Sequence, residues 1–427
     1  MLRSGIFRSA GVIYAARSAY QVRTAISSTR VGAMDQICVF GATPRELQQS
    51  KEHLKQAGPL TTGGSGSKTT SASDRPSTCT LTFYHDAEDS SDVDSRNITC
   101  GSFVPPRYFS TLETSTLGRT LFTAATAAST QAVIQDNISK LPTGVLFVAD
   151  KQLVGKGRGG NTWESPAGCL MFSTAYRLEI SGQRLPFVQY LVTLAVVQAV
   201  QAQAYKLLEQ YFKLAPPETG ISKSVSRRSP LNIKIKWPND IYAGRLKLGG
   251  ILCHSSFRNG QFNVIMGVGV NVSNRTPTTC IEELIEKKIS ELVGEEQEEG
   301  AVKKNYSENS KISVEALLAE VMTRLEPMLH QLAVDGFKPF ESDYYEAWLH
   351  SGQRVSLEEP VEGGIGGDGK QVKTVGVTVR GLSPHGYLMA EDDAGEVYEL
   401  HPDGNSFDFF KGLVRKKINP NSSGGGY

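Results

Sequence analysis

The segment 232–272 constrains the fold most, because it holds three strand patterns separated only by short turns. In NIKIKW, at its start, apolar residues alternate with lysines, which predicts a strand with one buried face. Two longer apolar runs follow at 247–257 and 263–272, and the tripeptide Arg-Asn-Gly between them predicts a hairpin turn. Strands joined by so short a turn pair antiparallel. The segment therefore predicts the centre of an antiparallel or mixed sheet.

Two helical patterns and two further strand patterns surround this segment. Residues 185–211 are apolar on most faces in their first half, which predicts a long central helix packed against the sheet. Residues 313–333 carry an apolar stripe at helical spacing, and Pro327 is expected to kink or end that helix. Apolar runs at 142–150 and 168–178 predict two more strands. The combination predicts an α+β fold, in which helices pack on a central mixed or antiparallel sheet.

The composition of the chain changes along its length, and each change predicts a boundary. Low-complexity and acidic stretches before residue 100 predict a poorly ordered extension with a Gly/Ser-rich linker. Short strand patterns after residue 350 predict a small β-barrel, and the polar segments 216–230 and 293–310 are expected to be exposed loops. We predict five regions: a transit segment (1–33), the extension (34–100), the main domain (101–348), the barrel (349–415) and a disordered tail (416–427).

Charge and cysteine usage argue against several kinds of partner. Because 45 Lys and Arg residues balance 44 Asp and Glu residues, the net charge of +1 gives no reason to expect a nucleic-acid partner. No apolar run approaches the ~20 residues of a membrane span. The six cysteines lie far apart without a C-x-x-C pair, so neither a disulfide framework nor a protein-bound metal is expected.

Residues 155–160, GKGRGG, satisfy the G-x-G-x-x-G pattern of dinucleotide-binding loops. Such loops require a helix directly after the glycines, but the following NTWESPAGCL holds a turn, a proline and a strand pattern. Closely spaced glycines also let backbone amides approach an anion, and Arg158 and Lys156 add a planar fork and a second positive charge. The stretch therefore predicts a loop that folds over a phosphorylated ligand. A surface loop with incidental basic residues is the alternative.

Four motifs follow one another along the chain: GKGRGGNTWESPAG, KWPNDIY, KLGGIL and GVGVNV. With SFVPPRYFSTLETSTLGRTLF upstream and HPDGNSFD downstream, they resemble the eukaryotic biotin–protein ligases, or holocarboxylase synthetases, over residues 102–415. The resemblance implies a catalytic domain of the class II synthetase type and a C-terminal SH3-like barrel. It implies that biotin and Mg-ATP form biotinyl-5′-AMP, whose biotinyl group passes to a lysine of a carboxylase's biotin-carrier domain. The implied acceptors are acetyl-CoA, pyruvate, propionyl-CoA and methylcrotonyl-CoA carboxylases, and the Mg²⁺ is bound chiefly by the ATP phosphates.

The resemblance assigns roles to the residues that match the family motifs. Arg158 neutralises the phosphate, Lys247 is the catalytic lysine in contact with the biotin carboxylate and the phosphate, and Asp240 supports transfer to the acceptor. The implied biotin-binding residues are Ser129, Thr130, Gln152, Gly155, Arg158, Lys247 and Gly250. The implied ATP- or adenylate-binding residues are Lys156, Gly157, Arg158, Gly159, Gly160, Trp163, Lys236, Asn239, Lys247 and Asn271.

One departure and several alternatives accompany these assignments. The family often carries Ser-Thr-Asn before the glycine-rich loop, whereas this chain has Gln131 as the third residue. Taken alone, Lys247 could be an ordinary strand-end lysine, and Asp240 could only stabilise its turn. A lipoate–protein ligase and a non-enzymatic biotin or nucleotide sensor are the rival functions, and a dinucleotide-dependent oxidoreductase is a distant third. The complete motif series, with Lys247 and Arg158 both present, favours the biotin ligase.

The first 33 residues hold five arginines and several serines, and no acidic residue occurs before Asp35, as is typical of a mitochondrial transit peptide. A disordered basic tail is the alternative, and a second start at Met34 would give a cytoplasmic form. Residues 1–40 fused to a fluorescent reporter should therefore reach mitochondria, whereas the same fusion with its arginines replaced by alanine should stay in the cytosol. Cytosolic fluorescence from the unaltered fusion would contradict the targeting role.

Overall fold

The computed structural model describes residues 36–62, 77–78, 80–83, 101–214, 226–293, 311–360, 372–402, 405–408 and 412–416. The helices in these ranges are α1 (Pro44–Ala57), α2 (Pro105–Phe109), α3 (Thr130–Asp136), α4 (Leu185–Leu214), α5 (Ile281–Val293), α6 (Val314–Asp335) and α7 (Glu341–Ala347). The first strands are β1 (Gln36–Gly41), β2 (Thr61–Thr62), β3 (Ser77–Thr78), β4 (Thr80–Phe83), β5 (Thr120–Ala127), β6 (Leu146–Gln152), β7 (Gly155–Lys156), β8 (Thr162–Trp163) and β9 (Cys169–Leu178). They are followed by β10 (Ile233–Lys236), β11 (Asp240–Ala243), β12 (Leu246–Arg258), β13 (Gln261–Asn271), β14 (Arg354–Pro360), β15 (Val372–Leu382), β16 (Leu388–Asp392), β17 (Val397–Leu400), β18 (Asn405–Asp408) and β19 (Leu413–Lys416).

The main domain is built on a mixed sheet with the strand order β10-β11-β12-β13-β9-β6-β5-β1-β4. From β10 to β6 all neighbouring strands pair antiparallel, whereas the β6–β5 and β1–β4 pairs are parallel. The hairpin that the sequence predicts is β12–β13, in which Arg258 pairs with Gln261. The predicted mixed sheet packed by helices is therefore confirmed.

Side-chain alternation along the strands divides the apolar residues between two layers. In β5 and β6, Leu121 and Leu146 belong to a large core that also contains α4 and α6. Their chain neighbours Phe122 and Phe147 belong to a second core with α1 and α3. All four side chains are fully buried, so these strands are covered on both faces. Helices therefore pack on both sides of the sheet.

Residues 36–57 belong to the main domain, contrary to the prediction of a poorly ordered extension from 34 to 100. Strand β1 pairs antiparallel with β5, and α1 buries Leu47 and Leu54 in the second core. Ser50 Oγ lies 2.8 Å from Thr120 Oγ1, which attaches α1 to β5. The prediction was wrong because α1 is mostly polar and presents a narrow buried stripe. Its order depends on a sheet that is formed by distant residues.

Helix α4 lies in the large core, as its apolar sequence predicts. By length and composition it could cross a membrane, but most of its apolar surface is buried inside the protein, as in a core helix. Helix α6 continues through Pro327 to Asp335, so of the two expected outcomes, a kink or an end, the end is excluded. Proline removes one hydrogen bond of the helix, whereas the burial of Leu325 and Leu329 on either side favours its continuation.

The C-terminal strands form their own sheet, whose described strands have the order β17-β16-β15-β14-β19-β18. Its strands pair antiparallel except for β14 and β19, which are parallel. Val355, Val377, Val379 and Leu388 of this sheet are part of the large core. The sheet is therefore packed directly on the main domain, at the position where the sequence predicts a small β-domain.

Several predictions concern residues outside the described ranges. They include the transit segment, the centre of the Gly/Ser-rich linker, most of the two polar segments and the C-terminal tail.

The cysteine spacing predicted no disulfide, yet Cys38 is disulfide-bonded. Sequence spacing is a poor guide here, because strand pairing brings distant residues together.

The carboxylate of Glu326 fastens α6 to the turn before β5. It accepts hydrogen bonds from the backbone N–H groups of Ser115, Thr116 and Leu117 at 2.6–2.8 Å, and from the Ser115 hydroxyl. Glu326→Ala would leave these donors, which are buried at Leu117 and partly buried at Ser115 and Thr116, without their acceptor, so we expect a loss of about 3 kcal/mol in the free energy of unfolding. Glu320→Ala, on the same helix, should cost about 1 kcal/mol or less, because it breaks only partly exposed ion pairs with Lys206 and Arg324. Urea denaturation of both variants measures the difference, and equal losses would contradict the tethering role.

The stabilisation provided by the Glu326 carboxylate should depend on pH. Burial raises the pKa of Glu326, but the hydrogen bonds that its carboxylate accepts outweigh burial and leave the pKa below the ordinary value of 4.5. The stabilisation is therefore present above pH 4.5 and is lost as the pH falls through the folded-state pKa. Glu326→Ala should show a smaller acid-induced decrease in melting temperature than the wild type.

Candidate active site

A cavity of about 160 Å³ lies beside the N-terminal end of α3, under the glycine-rich loop. The predicted site residues that line it are Ser129, Thr130, Gln152, Lys156, Gly157, Arg158, Trp163, Asn239, Asp240, Lys247 and Gly250. Residues that the sequence analysis did not assign also line it: Gln131, Asn161, Thr162, Phe172, Ser173, Ile251, Leu252, Gly267, Val268 and Gly269. Gly155, Gly159 and Gly160 line an adjacent cavity of about 1110 Å³, which the loop separates from the first. The fold thus brings residues of all four sequence motifs to one cavity.

The glycine-rich loop is a small hairpin. Strands β7 and β8 pair through Gly155–Trp163 and Lys156–Thr162, and a single 3₁₀ turn, Arg158–Gly160, connects them. Gly159 and Gly160 have φ of 66° and 83°, a left-handed conformation that favours glycine. No α-helix follows the glycines, so the geometry of a dinucleotide-binding loop is absent from this segment.

Lys247 and Asp240 form the central ion pair of the cavity. Lys247 Nζ lies 2.7 Å from Asp240 Oδ1, and Lys236 Nζ lies 4.0 Å from Asp240 Oδ2. The ammonium group of Lys247 also lies 5.5 Å from the ring centre of Trp163, within the range of a cation–π contact. Lys236 does not line the cavity itself, but it reaches the site through Asp240.

A β-bulge aims Lys247 at the cavity. Ile241 pairs with Gly249, but the next residue, Tyr242, pairs with Lys247, so β12 holds one extra residue at this point. Without the bulge, strict alternation would place Lys247 and Gly250 on opposite faces. With it, both line the cavity, while Leu248 is fully buried in the large core. The ion pair therefore depends on an irregularity in the strand.

Glycines form the wall of the cavity against which Trp163 packs. A Cβ atom on Gly269 would lie 2.6–2.8 Å from three atoms of the Trp163 ring, closer than real contacts allow. Gly250 pairs with Gly269 in the ladder, and a Cβ atom there would lie 3.5 Å from Lys247 Nζ. The glycines of KLGGIL and GVGVNV thus leave room on one face of the sheet for Trp163 and Lys247.

The N-terminal end of α3 forms the opposite wall of the cavity. Thr130 N and Oγ1 both donate to Gln152 Oε1, at 2.9 and 3.2 Å, and Thr130 Oγ1 lies 2.8 Å from Ser173 Oγ. The Ser129 hydroxyl caps the helix by accepting from Ala132 N. The three predicted biotin-binding residues outside the loop and β12 therefore lie together: Thr130 is hydrogen-bonded to Gln152, and Ser129 precedes Thr130 in the chain.

Gln131 and His254 form a pair that the sequence analysis missed. Gln131 Nε2 donates to Leu252 O at 2.9 Å and lies 2.8 Å from His254 Nδ1. Burial, and the positive charge of Lys156, lower the pKa of His254, which favours the neutral ring that can accept from Gln131. The sequence does hold a signal for this pair. Side chains alternate along a strand, so His254 lies on the same face of β12 as Gly250 and Leu252, which line the cavity.

Two asparagines have different environments. Asn239 Oδ1 accepts from Arg158 Nη1 at 3.4 Å, and Asn239 Nδ2 donates to Ile251 O at 2.7 Å, so Asn239 links the loop to β12. Asn271 does not line the cavity; its Nδ2 donates to Thr278 Oγ1 and Thr279 O. Thr278 Oγ1 in turn donates to Lys247 O at 2.6 Å. The geometry gives Asn271 a supporting position behind Lys247.

The charges of the cavity suit an anionic ligand. Lys156, Arg158 and Lys247 line it, against a single carboxylate, Asp240. Within the described ranges, no group of three or more His, Cys, Asp or Glu side chains is arranged to hold a metal ion. Fixed cations of this kind stabilise negative charge that develops on a phosphate or a carboxylate.

Comparisons with known proteins agree with the sequence motifs. Residues 123–271 match the model of the biotin/lipoate A/B protein ligase family. The chain is 40% identical over 318 residues to biotin–protein ligase 1, chloroplastic, of Arabidopsis thaliana, covering 74% of each chain. It is 40% identical over 318 residues to biotin–protein ligase 2 of the same plant, covering 74% of this chain and 83% of that protein. It is 33% identical over 317 residues to the biotin–protein ligase of Homo sapiens, covering 73% of this chain and 37% of that protein.

The contact between Gly269 and Trp163 can be tested by tryptophan fluorescence. Gly269→Ala should displace the Trp163 ring and increase quenching by acrylamide, because the other two tryptophans, Trp237 and Trp348, are buried. Gly182→Ala is the matched control, since its Cβ atom would meet only Phe262 at an ordinary 3.8 Å. Unchanged quenching in a folded Gly269→Ala variant would show that Trp163 does not pack against the glycine.

Proposed function

The chain belongs to the biotin–protein ligase family, and from this premise we propose that its candidate active site activates biotin with Mg-ATP and transfers it to a lysine of a biotin-carrier domain. The observation that carries the assignment of the site is the Lys247–Asp240 ion pair, at 2.7 Å, in a cavity that Arg158 and Thr130 also line. Cationic groups and hydroxyl groups therefore face the same small space. This combination suits a ligand with a neutral polar ring at one end and a carboxylate at the other.

In the first step, a carboxylate oxygen of biotin attacks the α-phosphorus of ATP, and the bond to the departing pyrophosphate breaks. Negative charge accumulates on the phosphate oxygens, and Lys247 and Arg158 are the cations that we assign to stabilise it. Because Asp240 and Trp163 both contact the ammonium group of Lys247, that group is held in position before the substrates bind. Mg²⁺ enters with the ATP phosphates.

The loop protects the product of this step. Biotinyl-5′-AMP is a mixed anhydride that water hydrolyses, so a site that makes it must exclude water. Gly157, Arg158 and Asn161 of the loop line the cavity, and the contact between Arg158 and Asn239 supports closure of the loop onto the KWPND turn. Left-handed glycines at 159 and 160 would allow the loop to open for substrate entry.

In the second step, the acceptor lysine amine attacks the biotinyl carbonyl carbon, an amide bond forms, and AMP leaves. The amine must lose a proton to react, and Asp240 is the carboxylate that lines the cavity, so we assign it to bind or accept that proton.

Biotin-dependent carboxylases of the acetyl-CoA, pyruvate, propionyl-CoA and methylcrotonyl-CoA types are the proposed acceptors. We further propose a mitochondrial location, and closure of the C-terminal sheet as an SH3-like barrel completed by the HPDGNSFD segment.

The assigned role of Lys247 can be tested by direct biotinylation. The full chain, incubated with biotin, Mg-ATP and a purified biotin-carrier domain, should add one biotinyl group to the acceptor lysine, as measured by mass spectrometry. Lys247→Ala should lower the rate by about 10²–10³-fold, because a fixed charge at the reacting phosphate is lost. Lys151→Ala, at an exposed position that does not line the cavity, should leave the rate unchanged. Full activity of Lys247→Ala would refute the role of the lysine, and an inactive wild type would refute the function.

Ligand choice separates biotin ligation from lipoate ligation. A ligand that binds only the folded protein stabilises it, by about 2.7 kcal/mol at a concentration of 100 Kd. Biotin with ATP should therefore raise the melting temperature, whereas lipoate with ATP should not. The opposite result would favour a lipoate–protein ligase. Stabilisation by biotin without adenylate formation would favour a non-enzymatic sensor.

A further inference from the structure

His350 connects the segment that leads into the C-terminal sheet with the strand before the KWPND turn. Its Nε2 atom accepts a hydrogen bond from Trp237 N at 2.9 Å, and its Nδ1 atom lies 2.9 Å from Gln353 Oε1. Since Nε2 accepts, Nδ1 carries the proton and donates to Gln353. One residue earlier, Leu349 N donates to Ile235 O at 2.9 Å, and Trp348 pairs with Ile235, so this segment runs along the outer edge of β10.

The His350 side chain is fully buried and stays neutral. Burial, together with the smaller effect of the Lys236 charge, lowers the pKa of its imidazole to about 4, although the hydrogen bond with Gln353 acts in the opposite direction. The ring is therefore an acceptor for Trp237 N throughout the neutral pH range. A buried histidine with both ring nitrogens engaged is rigidly oriented.

A second buried contact reaches the same tryptophan from the C-terminal sheet. Trp237 Nε1 donates to Tyr190 Oη at 2.8 Å, and the Tyr190 hydroxyl donates to Gly386 O, in the turn before β16. Tyr190 is a residue of α4 and is 1% exposed. The main chain and the side chain of Trp237 are thus each held by one buried partner.

The position of Trp237 affects the position of residues that line the cavity. It precedes the Pro238-Asn239-Asp240 turn, whose last two residues line the cavity. Gln189 Nε2 donates to Pro238 O at 3.1 Å. At the other end of the turn, Asn239 Nδ2 donates to Ile251 O at 2.7 Å, and Asn239 O accepts from Ile251 N at 2.9 Å. A shift of Trp237 would therefore move Asp240 relative to Lys247.

We propose that His350 and Tyr190 are positioning residues for adenylate formation, which hold Trp237 so that Asn239 and Asp240 meet the loop and Lys247. The C-terminal sheet then acts on the chemistry through Gly386 and the segment at 348–353. His350, Tyr190 and Gly386 do not line the cavity that holds Lys247 and Asp240. This inference rests on the proposed function, because its test measures the rate of biotin-dependent adenylate formation. It assigns no chemical step to either side chain.

Substitution of His350 by glutamine or by asparagine distinguishes a positioning role from a packing role. The Oε1 atom of glutamine can replace Nε2 as the acceptor for Trp237 N, whereas the side chain of asparagine can replace only Nδ1. We expect His350→Gln to keep most of the wild-type rate of biotin-dependent adenylate formation. His350→Asn should lower kcat by about ten- to hundredfold, as expected for a displaced catalytic group. The KM for biotin should change less than kcat, because the hydroxyl groups assigned to biotin, those of Ser129 and Thr130, belong to the N-terminal end of α3.

The assays should be run below the melting temperatures of both variants, so that unfolding does not contribute. Equal activities of His350→Gln and His350→Asn, alongside an active wild type, would overturn the inference. An inactive wild type would instead overturn the proposed function. The two failures are therefore distinguishable in one experiment.

A pair of tyrosine variants provides an independent test. Tyr190→Phe removes the hydroxyl group between Trp237 and Gly386 and should lower kcat with little change in the KM for biotin. Tyr344→Phe is the matched control, because Tyr344 is fully buried and its hydroxyl group has no hydrogen-bond partner among the described residues. It should keep the wild-type kcat. Loss of kcat in both variants, or in neither, would contradict the positioning role of Tyr190.

Discussion

The register of the β11–β12–β13 ladder is the constraint on which the site depends. Asp240 pairs with Gly250, and Gly250 pairs with Gly269, so three motifs are aligned by backbone hydrogen bonds. Side chains alternate between faces in a strand, so a slip of one residue would turn each of them away from the cavity. On the face opposite the cavity glycines, Ile251, Val268 and Val270 are buried in the large core, which fixes the register strongly. The chemistry of the site is therefore determined by strand pairing before any side-chain contact is considered.

The bulge and the glycines adapt this ladder to a ligand. One extra residue in β12 directs Lys247 toward Asp240 and Leu248 into the core. The missing side chain at Gly269 makes room for Trp163, which contacts the Lys247 ammonium group. Both features weaken a regular strand, since a bulge interrupts the ladder and glycine packs poorly. Their position at the cavity is consistent with a requirement for access to the backbone.

The sequence patterns predicted the elements more reliably than their contacts. Periodicity identified α4, β9 and the β12–β13 hairpin, because a buried face imposes a repeat that can be read locally. It did not identify α1 as part of the domain, because Leu47 and Leu54 are buried by contacts with a core that contains residues of β5 and α3. Those residues are distant in the sequence, so a local pattern does not show the contact. It also left open whether Pro327 ends α6, because the packing on either side of a proline decides the outcome. The chain order of the motifs, read as a resemblance, indicated the family correctly.

For the site, the sequence by itself determined which residues are available: the glycines and basic residues of the loop, and Lys247 and Asp240. Only the tertiary structure decided which of them meet. It joined Gln131 with His254, placed Asn271 behind Lys247 rather than in the cavity, and linked His350 to Trp237. These contacts join residues that are far apart in the chain or hidden by a bulge, and no local periodicity encodes them. Residue types therefore follow from the sequence, whereas their geometry follows from long-range strand pairing and the burial that accompanies it.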